Sequence, residues 1–128
     1  MTVSGLHHVA VICSDYETSK RFYTEIMGFE ILAETHRPER NSYKLDLLVP
    51  GGTQIELFSF PAPPARSSYP EACGLRHLAF SVSNIERETA DLTAKGVTVE
   101  EIRVDGLTGK RFTFFADPDG LPIELYEE

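Results

Sequence analysis

The sequence predicts an α+β protein built from two tandem βαβββ units. One observation is a repeated turn and strand, in which a Pro-x-Gly turn precedes Ile-Glu-Leu and an aromatic residue, at residues 50–58 and again at 118–126. A second observation is a repeated strand start, Gly-Leu-x-His, at residues 5–8 and 74–77. Because turn, strand and spacing recur together, we interpret the chain as a duplicated unit.

The bulk composition places the chain among ordinary globular proteins. Its 128 residues are 41% hydrophobic and 25% charged, which predicts a single domain, residues 1–128, with a sizeable core. The formal charge of -8 argues against a nucleic-acid partner or an anionic membrane surface. We see no membrane-spanning run and no signal peptide, so we expect a cytoplasmic protein. Cys13 and Cys73 form no metal or redox motif, and Cys13 is predicted to be a core residue.

Repeat one covers residues 5–60 and begins with the strand that carries the first Gly-Leu-x-His motif. Its helix is predicted over residues 15–27, because a Ser-x-x-Glu capping box begins at Ser14 and Gly28 provides a stop. Three strands are predicted after the helix, at residues 30–35, 43–49 and 54–60.

Repeat two covers residues 74–128 and follows the same plan. A capping box at Ser83 and a stop at Gly96 predict a helix over residues 84–95. The three strands that follow are predicted at residues 98–104, 111–116 and 122–126. Residues 61–73 between the repeats contain four prolines and read as a linker. Each half-sheet needs a cover, which the halves could provide within one chain or by exchange between two chains.

Four polar residues occupy matching places in the two repeats. A carboxylate inside a short apolar strand is costly unless it is paired. If the first and last strands of each repeat are neighbours, each repeat offers one imidazole and one carboxylate. A pseudo-twofold arrangement would then bring all four to one point. The four residues are His8, Glu56, His77 and Glu124.

Two imidazoles and two carboxylates suit a divalent transition metal. Structural zinc sites are dominated by Cys and His, so this set points instead to a metal with open positions for substrate oxygens. Taken singly, each His reads as an ordinary core residue and each Glu as a solvent-facing one. Their repetition in register favours metal binding. Strand alternation predicts that His7 faces away from His8 and has a structural role.

Basic residues near the connections between strands are candidates for binding an anionic substrate. Solvated surface charge is the alternative explanation. The predicted substrate-binding residues are Arg37, Arg40, Lys110 and Arg111. A further candidate, Lys44, lies close to Arg37 and Arg40 in the sequence.

These motifs resemble the vicinal oxygen chelate superfamily, which includes glyoxalase I, bleomycin-resistance proteins, extradiol dioxygenases and methylmalonyl-CoA epimerase. The resemblance covers nearly the whole chain and is strongest to small bacterial glyoxalase I. It implies a glyoxalase-like fold in which the repeats form a curved sheet around a metal site. It places four residues on the ligand positions of glyoxalase I: His8, Glu56, His77 and Glu124. The most specific motif is Asp-Pro-Asp-Gly at residues 117–120, followed by Pro-Ile-Glu-Leu.

The resemblance implies a lyase or isomerase that transfers a proton on a small substrate, such as a hemithioacetal, bound to the metal through adjacent oxygens. Glu124 is preferred over Glu56 as the base. The expected cofactor is one divalent ion of nickel, zinc, cobalt, manganese or iron, with nickel or zinc favoured. The expected partners are a small-molecule substrate and a second copy of the chain in a homodimer.

The sequence departs from glutathione-using glyoxalases at two positions. Ile12 and Phe60 stand where those enzymes carry an Arg and an Asn that contact glutathione, so two contacts that recognise this thiol are missing and its use stays open. Glu56 separates the chain from the epimerase pattern, which tends to carry Gln there. Two alternative functions are a bleomycin-resistance-type binding protein and an iron-dependent ring-cleaving dioxygenase.

Overall fold

The computed structural model describes all residues from 1 to 128. The chain divides into two compact units, Met1–Pro64 and Ala65–Glu128. The boundary falls inside the predicted linker, and each unit contains one four-stranded mixed sheet and one principal helix. The α+β fold with two βαβββ units is therefore confirmed.

The first unit has the predicted order of elements: β1 His8–Cys13, α1 Tyr16–Arg21, β2 Glu30–Arg37, β3 Ser42–Leu48 and β4 Gln54–Ser59. Its sheet runs in the order β1, β4, β3, β2. The β1–β4 pair is parallel and the other pairs are antiparallel. The first and last strands of the unit are thus neighbours, as the sequence analysis required.

The second unit repeats this arrangement with β5 Leu78–Val82, α2 Ile85–Ala94, β6 Arg103–Val104, β7 Arg111–Ala116 and β8 Pro122–Glu127. Its sheet order is β5, β8, β7, β6, with β5 parallel to β8. No helix of the structure is both long enough and apolar enough to span a bilayer.

Each sheet buries one face and leaves the other for polar side chains. In β4 the buried residues Ile55 and Leu57 flank Glu56, and in β8 the buried residues Ile123 and Leu125 flank Glu124. Because successive side chains of a strand point to opposite faces, both glutamates lie on the face away from the buried leucines and isoleucines. We call this face of each sheet the carboxylate face.

Both helices are capped one residue later than the Ser-x-x-Glu motifs predict. Asp15 Oδ1 accepts a hydrogen bond from the Thr18 backbone N–H at 2.9 Å. Asn84 Oδ1 likewise accepts from the Arg87 backbone N–H at 3.0 Å. Asp and Asn are strong N-cap residues, and here they take the role that the preceding serines were predicted to have.

The first helix does not continue as a regular α-helix to Met27. It widens into a π-helical turn over Phe22–Ile26, where the Met27 N–H donates to the Phe22 carbonyl at 2.9 Å. Gly28 follows in the left-handed region with φ of 76°, so it ends the helix as predicted.

The predicted strand over residues 98–104 is largely wrong, because only Arg103–Val104 pairs as a strand. Upstream, the Glu100 N–H donates to the Phe114 carbonyl, and Thr113 Oγ1 donates to the Glu100 carbonyl. The segment follows β7 through isolated hydrogen bonds, which do not form a ladder. The other strands predicted after the helices are confirmed to within two residues at each end. The first strand of each unit begins later than predicted, because β1 starts at His8 and β5 at Leu78, so most of the first Gly-Leu-x-His motif and all of the second precede the strands.

Candidate metal-binding site

The first unit brings His8 and Glu56 together on its carboxylate face. In the parallel β1–β4 pair, Glu56 lies opposite Ala10, and His8 precedes Ala10 by two residues on the same face. The distance from His8 Nε2 to Glu56 Oε2 is 3.1 Å. The Glu56 side chain is only 14% exposed and that of His8 is 41% exposed, so one side of this pair is open.

The second unit builds an equivalent pair from His77 and Glu124. Glu124 lies opposite Ala79, and His77 again precedes that alanine by two residues, immediately before β5 begins. His77 Nε2 lies 3.0 Å from Glu124 Oε2, and the Glu124 side chain is also 14% exposed. The repeated sequence positions therefore give repeated geometry in the two units.

The donor atoms of each pair fit adjacent positions on one metal ion. Two ligands about 2.1 Å from an octahedral ion and at right angles to each other lie about 3.0 Å apart. The same spacing fits a hydrogen bond from a protonated imidazole nitrogen. Neither pair joins a third His, Cys, Asp or Glu in a group that could hold an ion. Each pair offers two donor groups, and both the binding of a metal and the sharing of one ion by the two pairs stay predictions.

The two carboxylates have different neighbours. Lys44 Nζ lies 3.5 Å from Glu56 Oε1 and 2.9 Å from Asp46 Oδ1. These carboxylates, Asp46 first, raise the pKa of Lys44. In the second unit the residue opposite Glu124 is Phe114, whose ring meets the His77 ring edge to face at 5.1 Å. Glu56 therefore belongs to a charged network, and Glu124 sits beside aromatic rings.

His7 contacts the site, although strand alternation predicted that it would face away. Its Nδ1 lies 2.8 Å from Nδ1 of His8, and the two rings meet edge to face. Strand β1 starts only at His8, so alternation does not extend back to His7. A shared proton between the two Nδ1 atoms would leave Nε2 of His8 to face Glu56 and would orient the ring.

Only one of the four predicted substrate-binding residues, Arg37, has a defined contact on a carboxylate face. Its guanidinium lies 5.0 Å from the Phe58 ring centre and donates to Ser42 Oγ. Arg40 is an exposed residue of a short 3-10 turn. Lys110 is exposed in the turn before β7.

Arg111 lies on the opposite face of its sheet from Glu124. Its guanidinium pairs with Glu127 at 2.8 Å and with Glu86 of α2 at 2.9 Å. These contacts tie the helix to the sheet, and they raise the pKa of Arg111 and lower that of Glu127. For Arg111 we therefore find a role in joining α2 to β8, and the predicted substrate contact has no support in this geometry.

The sequence analysis missed Arg103, which is on the carboxylate face of the second unit. Its guanidinium lies 4.9 Å from the Phe112 ring centre and 5.9 Å from that of Phe114. The arrangement parallels Arg37 over Phe58 and Phe60 in the first unit. The sequence signal that could have identified Arg103 is an Arg near the end of a predicted strand, followed by a strand in which Phe112 and Phe114 alternate. Stacking of a guanidinium on aromatic rings is favourable, so this pattern is typical of a cation–π contact.

The two positions that depart from glutathione-using glyoxalases are also on the carboxylate face of the first unit. Ile12 lies opposite Phe58 in the β1–β4 pair and is an exposed apolar side chain. Phe60 stacks on Phe58 with ring centres 6.0 Å apart. This part of the face is apolar, apart from the Arg37 guanidinium.

The protein is a duplication of one mixed βαβββ unit. Each unit presents a His–Glu pair where its first and last strands are neighbours, and the side-chain types of this pair are common metal ligands. The family model for the Glyoxalase/Bleomycin resistance protein/Dioxygenase superfamily matches residues 5–125. The chain belongs to this superfamily.

Two similar proteins cover essentially the whole chain. Uncharacterized protein YwkD of Bacillus subtilis is 58% identical over 128 residues, which is 100% of both chains. The crystal structure of a glyoxalase family protein from Enterococcus faecalis is 54% identical with a TM-score of 0.91, over 99% of this chain and 100% of that one.

More distant relatives carry names of enzymes. A 2-epi-5-epi-valiolone epimerase from Actinomyces is 31% identical over 94% of this chain and 78% of its own length. The lactoylglutathione lyase of Schizosaccharomyces pombe is 29% identical over 100% of this chain and 49% of its own length. The superfamily thus includes lyases and epimerases among the relatives of this chain.

Proposed function

We propose that this protein is a divalent-metal-dependent lyase or isomerase that transfers a proton on a small substrate with adjacent oxygens. The observation that carries the proposal is the repeated His–Glu pair, with matching donor distances of 3.1 Å and 3.0 Å in the two units. A carboxylate that is largely buried in an apolar strand needs a compensating charge, and each pair is one ligand pair of a shared ion. The proposed ligands are His8, Glu56, His77 and Glu124.

When bound, a nickel or zinc ion would supply positive charge that stabilises a negatively charged substrate oxygen and acidifies the neighbouring C–H. The residues of the chain have the remaining tasks. The imidazoles of His8 and His77 present Nε2 toward the site, and the His7–His8 contact fixes the ring of His8. Phe114 lies opposite Glu124 and packs edge to face against the His77 ring, which would help to orient that imidazole.

Glu124 is the proposed base that removes the proton and returns it at the adjacent carbon. Lys44 lies within ion-pair distance of Glu56 and tethers that carboxylate. No lysine or arginine makes such a contact with Glu124, whose neighbour at that distance is the His77 imidazole. A carboxylate held by fewer cations is freer to move toward substrate, which favours Glu124 over Glu56 for this role.

The relatives support this reaction class, since their names include a lyase and an epimerase. The apolar side chains of Ile12 and Phe60 offer no ion pair or hydrogen bond to a glutathione carboxylate. We therefore propose that the substrate is a chelating molecule other than the glutathione adduct. We also propose a homodimer, to be tested by sedimentation velocity.

Elemental analysis of the purified protein, paired with the same analysis of His8→Ala and His77→Ala, tests the function. We expect about one nickel, zinc, cobalt or manganese ion per chain, with loss of the ion in both variants. Arg87→Gln, an exposed change on α2, is the control and should keep the metal. Iron with consumption of dioxygen would indicate a ring-cleaving oxygenase. Failure to bind any divalent ion after reconstitution would refute the enzyme and leave a small-molecule binding protein.

A further inference from the structure

A pocket of about 570 Å³ lies in the second unit beside His77. Its wall is formed on one side by residues 66–72 and on the other by the carboxylate face of the sheet near Phe114 and Pro122. This volume is in the range that holds small organic ligands. Because His77 belongs to the wall, a ligand in the pocket would reach the His77–Glu124 pair.

Three arginines line this pocket: Arg66, Arg76 and Arg103. Two carboxylates, Glu71 and Glu100, also line it, so the lining has an excess of one cation. The excess is local, because the whole chain carries a formal charge of -8. A positive pocket on an acidic protein is a feature that composition does not predict, and it favours an anionic ligand.

Arg66 is the pocket arginine that has no carboxylate partner. Its Nε donates to Ser68 Oγ at 2.6 Å, and one Nη donates to the carbonyls of Leu75 and Arg76 at 2.9 Å and 3.2 Å. These neutral acceptors fix the guanidinium without neutralising its charge. A planar guanidinium held in this way can bind a carboxylate or a phosphate group through its remaining donors.

The other two arginines are paired weakly. Arg76 pairs with Glu71 at 2.6 Å, but both side chains are more than 60% exposed. Arg103 pairs with Glu100 at 3.2 Å, also in solvent. Exposed ion pairs contribute little free energy, so a ligand oxyanion could replace either glutamate at small cost.

The rest of the pocket wall is apolar. Phe114, Phe115 and Pro122 line it, together with Ala72 and Ala116. Arg103 also stacks over the Phe114 ring. A ligand that fits this lining has a flat or apolar body and an anionic group at one end.

We propose that this pocket binds a small organic anion, a carboxylate or phosphate ester on an apolar or unsaturated body, with the anionic group held by Arg66 and Arg103. The proposed ligand is also the substrate class of the proposed enzyme. Only the chemistry at Glu124 rests on the proposed function. The binding of the anion itself depends on the arginines and is expected with or without a metal ion.

Titration calorimetry and amide NMR titration with benzoate, phenyl phosphate and neutral benzamide test the proposal. We expect at least one of the two anions to bind at least about tenfold more tightly than benzamide, and to shift amide signals of residues 66–77 and β7. Binding of benzoate alone would indicate a carboxylate ligand, and binding of phenyl phosphate alone a phosphate ester. Equal affinities for benzamide and both anions, or no binding of any probe, would overturn the proposal.

Arg66→Gln and Arg103→Gln should each weaken anion binding about tenfold or more, whereas Arg87→Gln should not. Arg103 is an exposed edge-strand residue, so Arg103→Gln keeps the test valid even if Arg66→Gln unfolds. Loss of affinity in Arg87→Gln equal to that in Arg103→Gln would show non-specific charge attraction and contradict the proposal.

Repeating the titrations after removal of divalent metal separates the two hypotheses. Anion binding that depends on the arginines in a protein that takes up no metal would retain this inference and refute the enzyme. A protein that takes up metal but binds the anions equally well without Arg66 or Arg103 would retain the enzyme and refute this inference.

Discussion

The two units share a register but differ in what surrounds the carboxylate. Lys44 and Asp46 of β3 occupy the places that Phe112 and Phe114 occupy in β7. The first unit thus places Glu56 among charges, whereas the second places Glu124 opposite an aromatic ring and its partner His77 in the wall of an arginine-lined pocket. Duplication preserved the donor pairs while the neighbouring positions diverged.

This difference suggests a division of roles between the units. The charged network around Glu56 restrains the first His–Glu pair, which suits the role that we propose for it, the holding of a metal ion. The second unit combines a less constrained carboxylate with a pocket for an organic anion, which suits substrate binding and proton transfer. The following substitutions test this division in order of decreasing expected effect.

The largest effect is expected for Glu124→Gln compared with Glu56→Gln. We expect Glu124→Gln to reduce kcat by about 10²–10⁴-fold, because the amide cannot take a proton. Glu56→Gln should reduce kcat less than Glu124→Gln at equal metal occupancy. Steady-state turnover of a hemithioacetal formed from a thiol other than glutathione, with metal content measured on the same samples, compares the variants. Equal loss of kcat in both variants would contradict the division.

The two cores should respond alike, because the residues after the glutamates are equivalent. Leu57 and Leu125 are buried and directly follow the candidate ligands Glu56 and Glu124. Leu57→Ala and Leu125→Ala therefore remove equivalent core side chains. We expect the free energy of unfolding to fall by about 2–5 kcal/mol in each variant. Denaturant titration measures this loss, and Leu107→Ala is the control, because Leu107 is fully exposed. If only one of the two variants lost less than about 2 kcal/mol, the two cores would be packed unequally and the expectation would be contradicted.

Lys44→Met removes the cation of the first network. In metal-free protein we expect the free energy of unfolding to fall by about 1–3 kcal/mol, because Asp46 and Glu56 lose their cationic partner. Metal affinity should rise by about three- to tenfold, because a positive charge near the ion has been removed. Phe112→Met, the matched change in the second unit, should leave metal affinity nearly unchanged. Competition with a chelator measures both affinities, and weaker metal binding by Lys44→Met would refute this role for Lys44.

The smallest effects are expected at the helix caps. Asn84→Ala should cost about 1 kcal/mol of stability at any pH, since the amide side chain does not titrate. The hydrogen bond from the Thr18 backbone N–H lowers the pKa of Asp15. A lowered pKa means that the cap of α1 stabilises fully above about pH 4 and weakens as the pH falls further. Thermal unfolding from pH 7 to pH 3 should therefore show a smaller acid loss for Asp15→Asn than for wild type.

Short-range patterns in the sequence were enough to predict most of the fold. The repeated Pro-x-Gly turns and Ile-Glu-Leu strands predicted β4 and β8, and the glycines at 28 and 96 predicted the helix ends. These signals are local, since turn geometry and strand alternation depend on residues within a few positions. The strand at residues 98–104 was predicted wrongly, because whether β-prone residues pair in a ladder depends on a partner strand.

The candidate ligands could be predicted because duplication aligned two histidines and two glutamates. The substrate-binding residues could not be predicted in the same way. Arg111 and Arg103 look alike in the sequence as basic residues near strand ends. One pairs with Glu127 and Glu86 on the helix side of its sheet, and the other stacks over phenylalanines on the carboxylate face.

The sequence by itself determined the repeated βαβββ order, the glycines at which the helices end and the strands that carry His8, Glu56 and Glu124, with His77 directly before the fourth such strand. These depend on periodicity and turn chemistry within short stretches. Only the tertiary structure decided that Glu56 lies beside Lys44, that His7 contacts His8 and that Arg66 lines a pocket with His77. Those contacts join residues distant in sequence or outside regular strands, where strand pairing and loop placement set the distances between side chains.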